Sequence, residues 1–250
     1  MLLDETENRL DISDQDIVVT GNISVDDANL LSATTTGTVT ASITTTESIT
    51  ELKTLTETSN AYTIAISSAD ATATAEDLSA IDGKTTTTID ATAVTSISGT
   101  YDQITALYES AGVDNLGDES ITLTENLTVT QANAIDGLTT GVVTASISTT
   151  ESIDSLKTLT GTNNAYTIVI SSADATGRTA ADFNTINGIT TGTIDATAVT
   201  ALTYDTIANI NTLLSAGNDT AQFTATSFSQ LSSVSTVSYT HLRAHETTDN

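Results

Sequence analysis

Four aspartates draw attention first, because oxygen-bearing side chains at repeated positions are the raw material of a cation site. Asp70 and Asp174 hold the same place in two copies of SSADAT, and Asp90 and Asp195 the same place in two copies of IDATAV. Calcium takes about six to eight oxygen ligands, which such Asp, Ser and Thr clusters could supply. Neither an EF-hand loop nor a GGxGxDxUx nonapeptide accompanies them, and the same residue types are ordinary formers of turns and caps. Asp70, Asp90, Asp174 and Asp195 therefore stand as calcium candidates, and no other cofactor is implied.

Catalytic chemistry has less to draw on. Residues 1–239 hold neither histidine nor cysteine, so the usual general bases and activated nucleophiles are missing. The paired carboxylates Asp26/Asp27 and Glu76/Asp77 fall where first helical turns are expected, and acids there complement the helix dipole. No GxGxxG or GxxxxGK[ST] phosphate loop occurs. The expectation is a protein that is not an enzyme and has no catalytic residues.

Charge narrows the partners. Six Lys and Arg stand against 32 Asp and Glu, a formal charge of −26. That balance repels nucleic acid and anionic membrane surfaces while attracting divalent cations. No stretch of 18 apolar residues is present, so membrane insertion is not expected. The 250 residues include 56 Thr and 26 Ser but no Pro, Cys or Trp. Missing proline suits a regular ladder, since proline cannot donate to a sheet and breaks helix interiors.

The elements that would position these groups come from a repeat. Residues 41–72 and 145–176 are identical at 26 of 32 positions, at an offset of 104. Period-two strand cores fall at 17–20, 39–43, 62–66 and 89–94, then at 121–124, 143–147, 166–170 and 194–199. Capping-box patterns follow them at Ser24/Asp27, Thr44/Glu47, Thr74/Asp77, Thr100/Gln103, Thr128/Gln131, Ser148/Glu151 and Thr179/Asp182, with Thr203/Thr206 departing from the pattern. Apolar residues then recur at helical spacing, as in Ile49, Leu52 and Leu55. Gly83, Gly112, Gly137, Gly188 and Gly217 mark expected helix ends in the left-handed conformation.

Strand, helix, strand with short links predicts parallel strands. The expected fold is an α/β right-handed solenoid of strand-helix units of about 26 residues, duplicated as a 104-residue block, with a parallel sheet on one side and helices on the other. An all-β solenoid is the alternative. The expected divisions are an N-terminal edge at 1–16, a first block of four units at 17–120, a second at 121–217, a partial unit at 218–237 and a tail at 238–250. Thr38, Thr40, Thr63, Asp90, Thr92, Thr122, Thr124, Thr144, Thr167, Asp195 and Thr197 would line the outward sheet face. Such a hydroxyl-rich face could bind calcium, glycan or ice.

Two resemblances add to this. The phrases TTGVVTASI at 139–147, IDATAVT at 89–95 and 194–200, and SGTYDQITALYESAG at 98–112 resemble the tandem repeats of very long bacterial surface or secreted proteins described as β-strand-repeat proteins, frequent in marine bacteria. That resemblance implies a structural segment of an extracellular stalk, adhesin or matrix protein. Its partners would be flanking repeats of the same parent chain, with glycans or other cell-surface polymers beyond them. No site residues come with it. The C-terminal SYTHLRAHET is similar to a peptide found at the ends of unrelated metagenomic reading frames and thought to be translated sequencing adapter. It implies that His241 and His245 are no metal pair and that the tail is disordered.

Overall fold

The computed structural model describes residues 2–4, 9–218 and 233–236, with side-chain surroundings from residue 12 to 213. The histidine-bearing tail and most of the partial unit at 218–237 lie outside the described residues. In chain order the elements are β1 (Leu2–Asp4), β2 (Arg9–Asp11), β3 (Ile17–Ile23), α1 (Val25–Ser32), β4 (Val39–Ile43), α2 (Ile49–Leu52), β5 (Ala61–Thr63), β6 (Thr72–Thr74), α3 (Ala75–Asp82), β7 (Ile89–Asp90), β8 (Ser96–Gly99) and α4 (Tyr101–Glu109). They continue as β9 (Val113–Asp114), β10 (Ser120–Leu127), α5 (Val129–Asp136), β11 (Val143–Ile147), α6 (Ile153–Leu156), β12 (Ala165–Val169), α7 (Ala180–Asn187), β13 (Ile194–Asp195), β14 (Ala201–Asp205), α8 (Ile207–Asn218) and β15 (Ser233–Thr236). Short 3-10 turns at Ser68–Asp70 and Ser172–Asp174 follow β5 and β12.

The protein is α/β, and the all-β alternative falls. Six strands in the order β13-β12-β11-β10-β8-β6 form a parallel sheet, and β3-β4-β5 form a three-stranded one. Two compact units divide the chain: residues 1–124 with 138–141, and residues 125–137 with 142–250. In the first, Ile17 pairs with Val39, Thr40 with Ala61, and Ser96 with both Thr72 and Ser120. In the second, Thr144 pairs with Ala165 and Ile168 with Ile194. Each partner is thus one strand-helix step away in sequence.

Alternation sorts the strands as expected. In β11 Val143, Ala145 and Ile147 are buried while Thr144 and Ser146 face out, and β4 buries Val39, Ala41 and Ile43 in the same way. Helices of four to twelve residues would not persist in water alone. Packing holds them: α3 buries Ala75, Leu78 and Ile81 completely, and burial of each large side chain stabilises by about 1.5–3 kcal/mol.

Several expectations are corrected. Only Ile89 and Asp90 of the 89–94 run are strand, because Asp90 Oδ1 accepts the Thr92 N–H at 3.0 Å and turns the chain. Asp195 does the same to Thr197 at 2.9 Å. The chain then re-enters a ladder at β8 and β14, which with β6 fall outside the expected strand cores. Helices α2 and α6 start after Ser48 and Ser152, not after Thr44 and Ser148, which close turns through the N–H groups of Glu47 and Glu151. The N-cap of α8 is Thr206, accepting from the Asn209 N–H, which is why Thr203 breaks the pattern. Gly83, Gly137 and Gly188 cap their helices at φ −64°, −73° and −76°, right-handed throughout, and Gly217 lies inside α8. These helices end by tightening, as in Lys84 N–H to Ile81 O at 2.8 Å, which requires no left-handed residue.

Candidate functional site

The carboxylates singled out by recurrence are not brought together. Asp70 Oδ2 accepts the N–H of Ile49, the first residue of α2, at 3.0 Å. Asp174 Oδ2 accepts the N–H of Ile153, the first residue of α6, also at 3.0 Å. Asp174 is nearly inaccessible, and its Oδ1 receives Nε of Arg178 at 2.8 Å and Nη2 of the same guanidinium. Asp90 accepts from Thr92 and from Asn115 Nδ2 at 2.9 Å, and these hydrogen bonds, that of the Thr92 hydroxyl foremost, hold its carboxyl below the usual range. Among the described residues, no group of three or more His, Cys, Asp or Glu is placed to hold a metal ion.

A second use of acid emerges instead. Glu47 Oε1 accepts the Val25 N–H of α1, Glu151 Oε1 the Val129 N–H of α5, and Asp205 Oδ2 the Ala181 N–H of α7, at 3.3, 3.1 and 2.7 Å. With Asp70 and Asp174, five helices receive at their first turn a carboxylate from 21 to 24 residues further along. Orphan amide groups and the positive end of the helix dipole both favour this. Glu47 and Glu151, expected to box their own helices, serve the preceding ones. The missed signal is a second acid spaced about one unit after each capped start.

Hydroxyls form the other set of ties. Thr35, Thr85, Thr139 and Thr190 donate Oγ1 to the carbonyls of Gln15, Tyr62, Glu119 and Tyr166 at 2.6, 2.8, 2.6 and 2.9 Å. Each also accepts the N–H two residues on, at Gly37, Thr87, Gly141 and Gly192. The three glycines approach the same backbone so closely that a Cβ would lie 2.4, 2.2 and 2.3 Å from the carbonyl oxygens of Gln15, Glu119 and Tyr166. Thr-x-Gly is thus a clamp onto the preceding strand or the residues leading into it, legible in TTG only once its partner is known.

Buried amides complete the pattern in both copies. Asn60 Oδ1 accepts from Val39 N–H and Asn164 Oδ1 from Val143 N–H, each at 2.8 Å, while their Nδ2 groups donate to Tyr62 Oη and Tyr166 Oη. Burial pushes the Tyr166 phenol up to about 12, with the charge of Asp136 adding to it, and burial raises Tyr62 as well. The second copy adds Asp136 as a further acceptor for Asn164 where the first has Ser32. Glu57 stands at φ 61° where the equivalent residue is Gly161 at φ 75°.

Two features remain outside these ties. Glu119 is wholly buried; its Oε2 accepts from Tyr108 Oη and Gly117 N–H, each at 2.8 Å, and Oε1 has no partner. Burial, then the bond to Glu119, raises the Tyr108 phenol far above its ordinary value. A shallow polar hollow of about 370 Å³ beside it is lined by Thr92, Asn115, Leu116, Gly117 and Asp118. Of the residues expected on the outward face, Thr40, Thr63, Asp90, Thr122, Thr124, Thr144 and Thr167 are exposed on strands and Asp195 is half-buried on one, whereas exposed Thr92 and half-buried Thr38 and Thr197 lie outside the strands. Comparison with protein-family models, with curated proteins and with solved structures finds no match.

Proposed function

We propose that this chain is a structural spacer segment of a large extracellular or cell-surface bacterial repeat protein, its strand-helix units wound into a right-handed solenoid with the parallel sheet on one side and helices on the other. One observation carries the reading: from β3 to β13, strand partners, helix-capping acids and threonine clamps lie about one unit away in sequence, from Thr139 to Glu119 at 20 residues to Ile168 with Ile194 at 26, while β1 and β2 pair antiparallel and Ala201 meets Ser233 across a longer step. Bonding of that kind is additive along the chain, so length can grow by duplication without a new core. Acids and hydroxyls that would otherwise suggest ligand chemistry are spent inside the scaffold, at helix starts and strand crossings. The remaining negative surface keeps such a rod soluble and apart from its neighbours.

Flanking repeats of the same parent chain are its proposed partners, and the role calls for no catalysis. Solution scattering tests it. A radius of gyration near 18 Å, the value for a compact chain of this length, would sink the solenoid, whereas a markedly larger value with a rod-like distance distribution is expected.

A binding role for the outward face is the second reading, favoured by register. Thr72, Ser96 and Ser120 stand side by side on β6, β8 and β10, as do Thr74, Ser98 and Thr122. These hydroxyl rows would meet a glycan or ice surface. Retention on polysaccharide or ice above that of a Thr122→Lys variant supports this reading, and equal retention removes it.

A further inference from the structure

The two copies of the repeat differ in what covers their first strand, and that difference identifies a docking surface. β10 (SITLTENL) and residues 16–23 (DIVVTGNI) occupy the same place at the offset of 104. β10 is joined to β8 by four register pairs, Ser120 to Ser96 through Leu123 to Gly99. β3 is an edge strand, paired to β4 alone among the described residues. The Ile17 N–H donates to Thr38 O, just ahead of β4. The alternate Val18 N–H therefore points to the open edge, just as Ser120 and Thr122 point to β8.

Burial follows pairing. Ile121 is 0% and Leu123 8% exposed beneath β8, whereas the equivalent Ile17 and Val19 are only half-buried. Val18 and Leu30, at 73% and 65% exposed, stand where Thr122 and Ala134 are exposed as well, so the inward positions Ile17 and Val19, not these, register the missing neighbour. Tyr204 and Ile207, at 71% and 60%, lie in β14 and α8. Residues 200–213 repeat the plan of 95–107, with Thr206 taking the N-cap role of Thr100 and Ile210 and Leu213 standing for Ile104 and Leu107. In stacked repeats, surfaces of this kind close on neighbouring units.

We infer that the open edge of β3 with α1 is the docking site for a strand-helix unit of the β8–α4 type, supplied by another copy of the same 104-residue repeat. The incoming strand pairs with residues 16–19 as β8 pairs with 120–123, receives the Val18 N–H, and covers Ile17 and Val19. This rests on the spacer reading and adds to it the surface used and the unit that fills it.

Amide hydrogen exchange on the full chain, and on a chain carrying an additional copy of residues 17–120 directly ahead of residue 17, tests it. In the chain as it stands, the Val18 amide should exchange at least about tenfold faster than that of Thr122. In the extended chain, Val18 should slow to within about tenfold of Thr122. A second extension carrying only residues 72–120 supplies β6, α3, β7, β8, α4 and β9 and should protect Val18 as well. Val18 already as slow as Thr122 in the unextended chain, or unchanged in both extensions, overturns the proposal. Scattering does not register this edge, so an elongated chain with an unprotected Val18 refutes the docking while leaving the spacer reading intact.

Discussion

Replacing Asp174 separates a carboxylate that holds a helix from one that holds a metal. In Asp174→Ala the buried N–H of Ile153 loses its acceptor, which costs about 1–3 kcal/mol for an unsatisfied buried donor. Arg178 also loses its partner at Oδ1, although Asp154 Oδ2 remains at 3.0 Å. The freed guanidinium is 23% exposed and keeps Asp154, so loss of the pair adds about 1 kcal/mol. The sum is about 2–4 kcal/mol, a fall in Tm of roughly 5–15 °C for a chain of this size. Asp174→Asn keeps an acceptor for Ile153 and loses mainly the charge, so about 1–2 kcal/mol is expected. At Asp70, which is half-buried, water can replace the carboxylate, and Asp70→Ala should cost about 1 kcal/mol. The assay is thermal and urea unfolding by circular dichroism, with exchange of the Ile153 amide as a local reading, each in EDTA and in added calcium. Equal losses for Asp70→Ala and Asp174→Ala would refute the capping argument. A wild-type Tm that falls in EDTA, with both variants indifferent to calcium, would replace it with a metal site.

Three further outcomes follow from the same contacts. Gly141→Ala should destabilise by about 3 kcal/mol or more, since its Cβ would lie 2.2 Å from Glu119 O, whereas Gly137→Ala, with its nearest contact at 3.4 Å, should be neutral or slightly stabilising; urea midpoints compare the two. Glu57→Gly should stabilise by about 0.5–1 kcal/mol by relieving the left-handed φ that its counterpart Gly161 meets without strain, and an unchanged or lowered midpoint counts against it. The phenols of Tyr62, Tyr108 and Tyr166 have folded values above the unfolded one, so their stabilisation is complete below about pH 10 and is lost as pH rises through the folded values, about 12 for Tyr166. Phenolate absorbance should accordingly appear in step with unfolding, and a separate titration of these groups near pH 10 in the folded chain would contradict their burial.

Much of the local structure was legible because it depends on neighbours in sequence. Ser24, Thr74, Thr100, Thr128 and Thr179 cap the helices that follow them, each accepting from the N–H three residues on. Alternation in VTASI placed Val143, Ala145 and Ile147 inward without reference to anything distant. Local pattern misleads where two local rules compete. Thr44 and Glu47 satisfy the capping pattern, yet Ser48 and Glu51 satisfy it too, and packing of Ile49 and Leu52 selects the later start. In IDATAV the β-branched residues argue for strand, while the Asp90 side chain claims the Thr92 amide and ends it.

The sequence by itself determined the alternation, most of the helix caps and the step from one unit to the next, because period, hydroxyl and acid are written side by side. Only the tertiary structure decided what the acids and threonines are for. Asp174 touches Ile153 and Thr139 touches Glu119 across about one unit of chain. Whether such a carboxylate meets a helix start or a cation depends on the register with which parallel strands pair. That register is set by the fit of buried side chains and by glycines such as Gly141 that let two backbones meet. These are distances between residues that no local pattern contains.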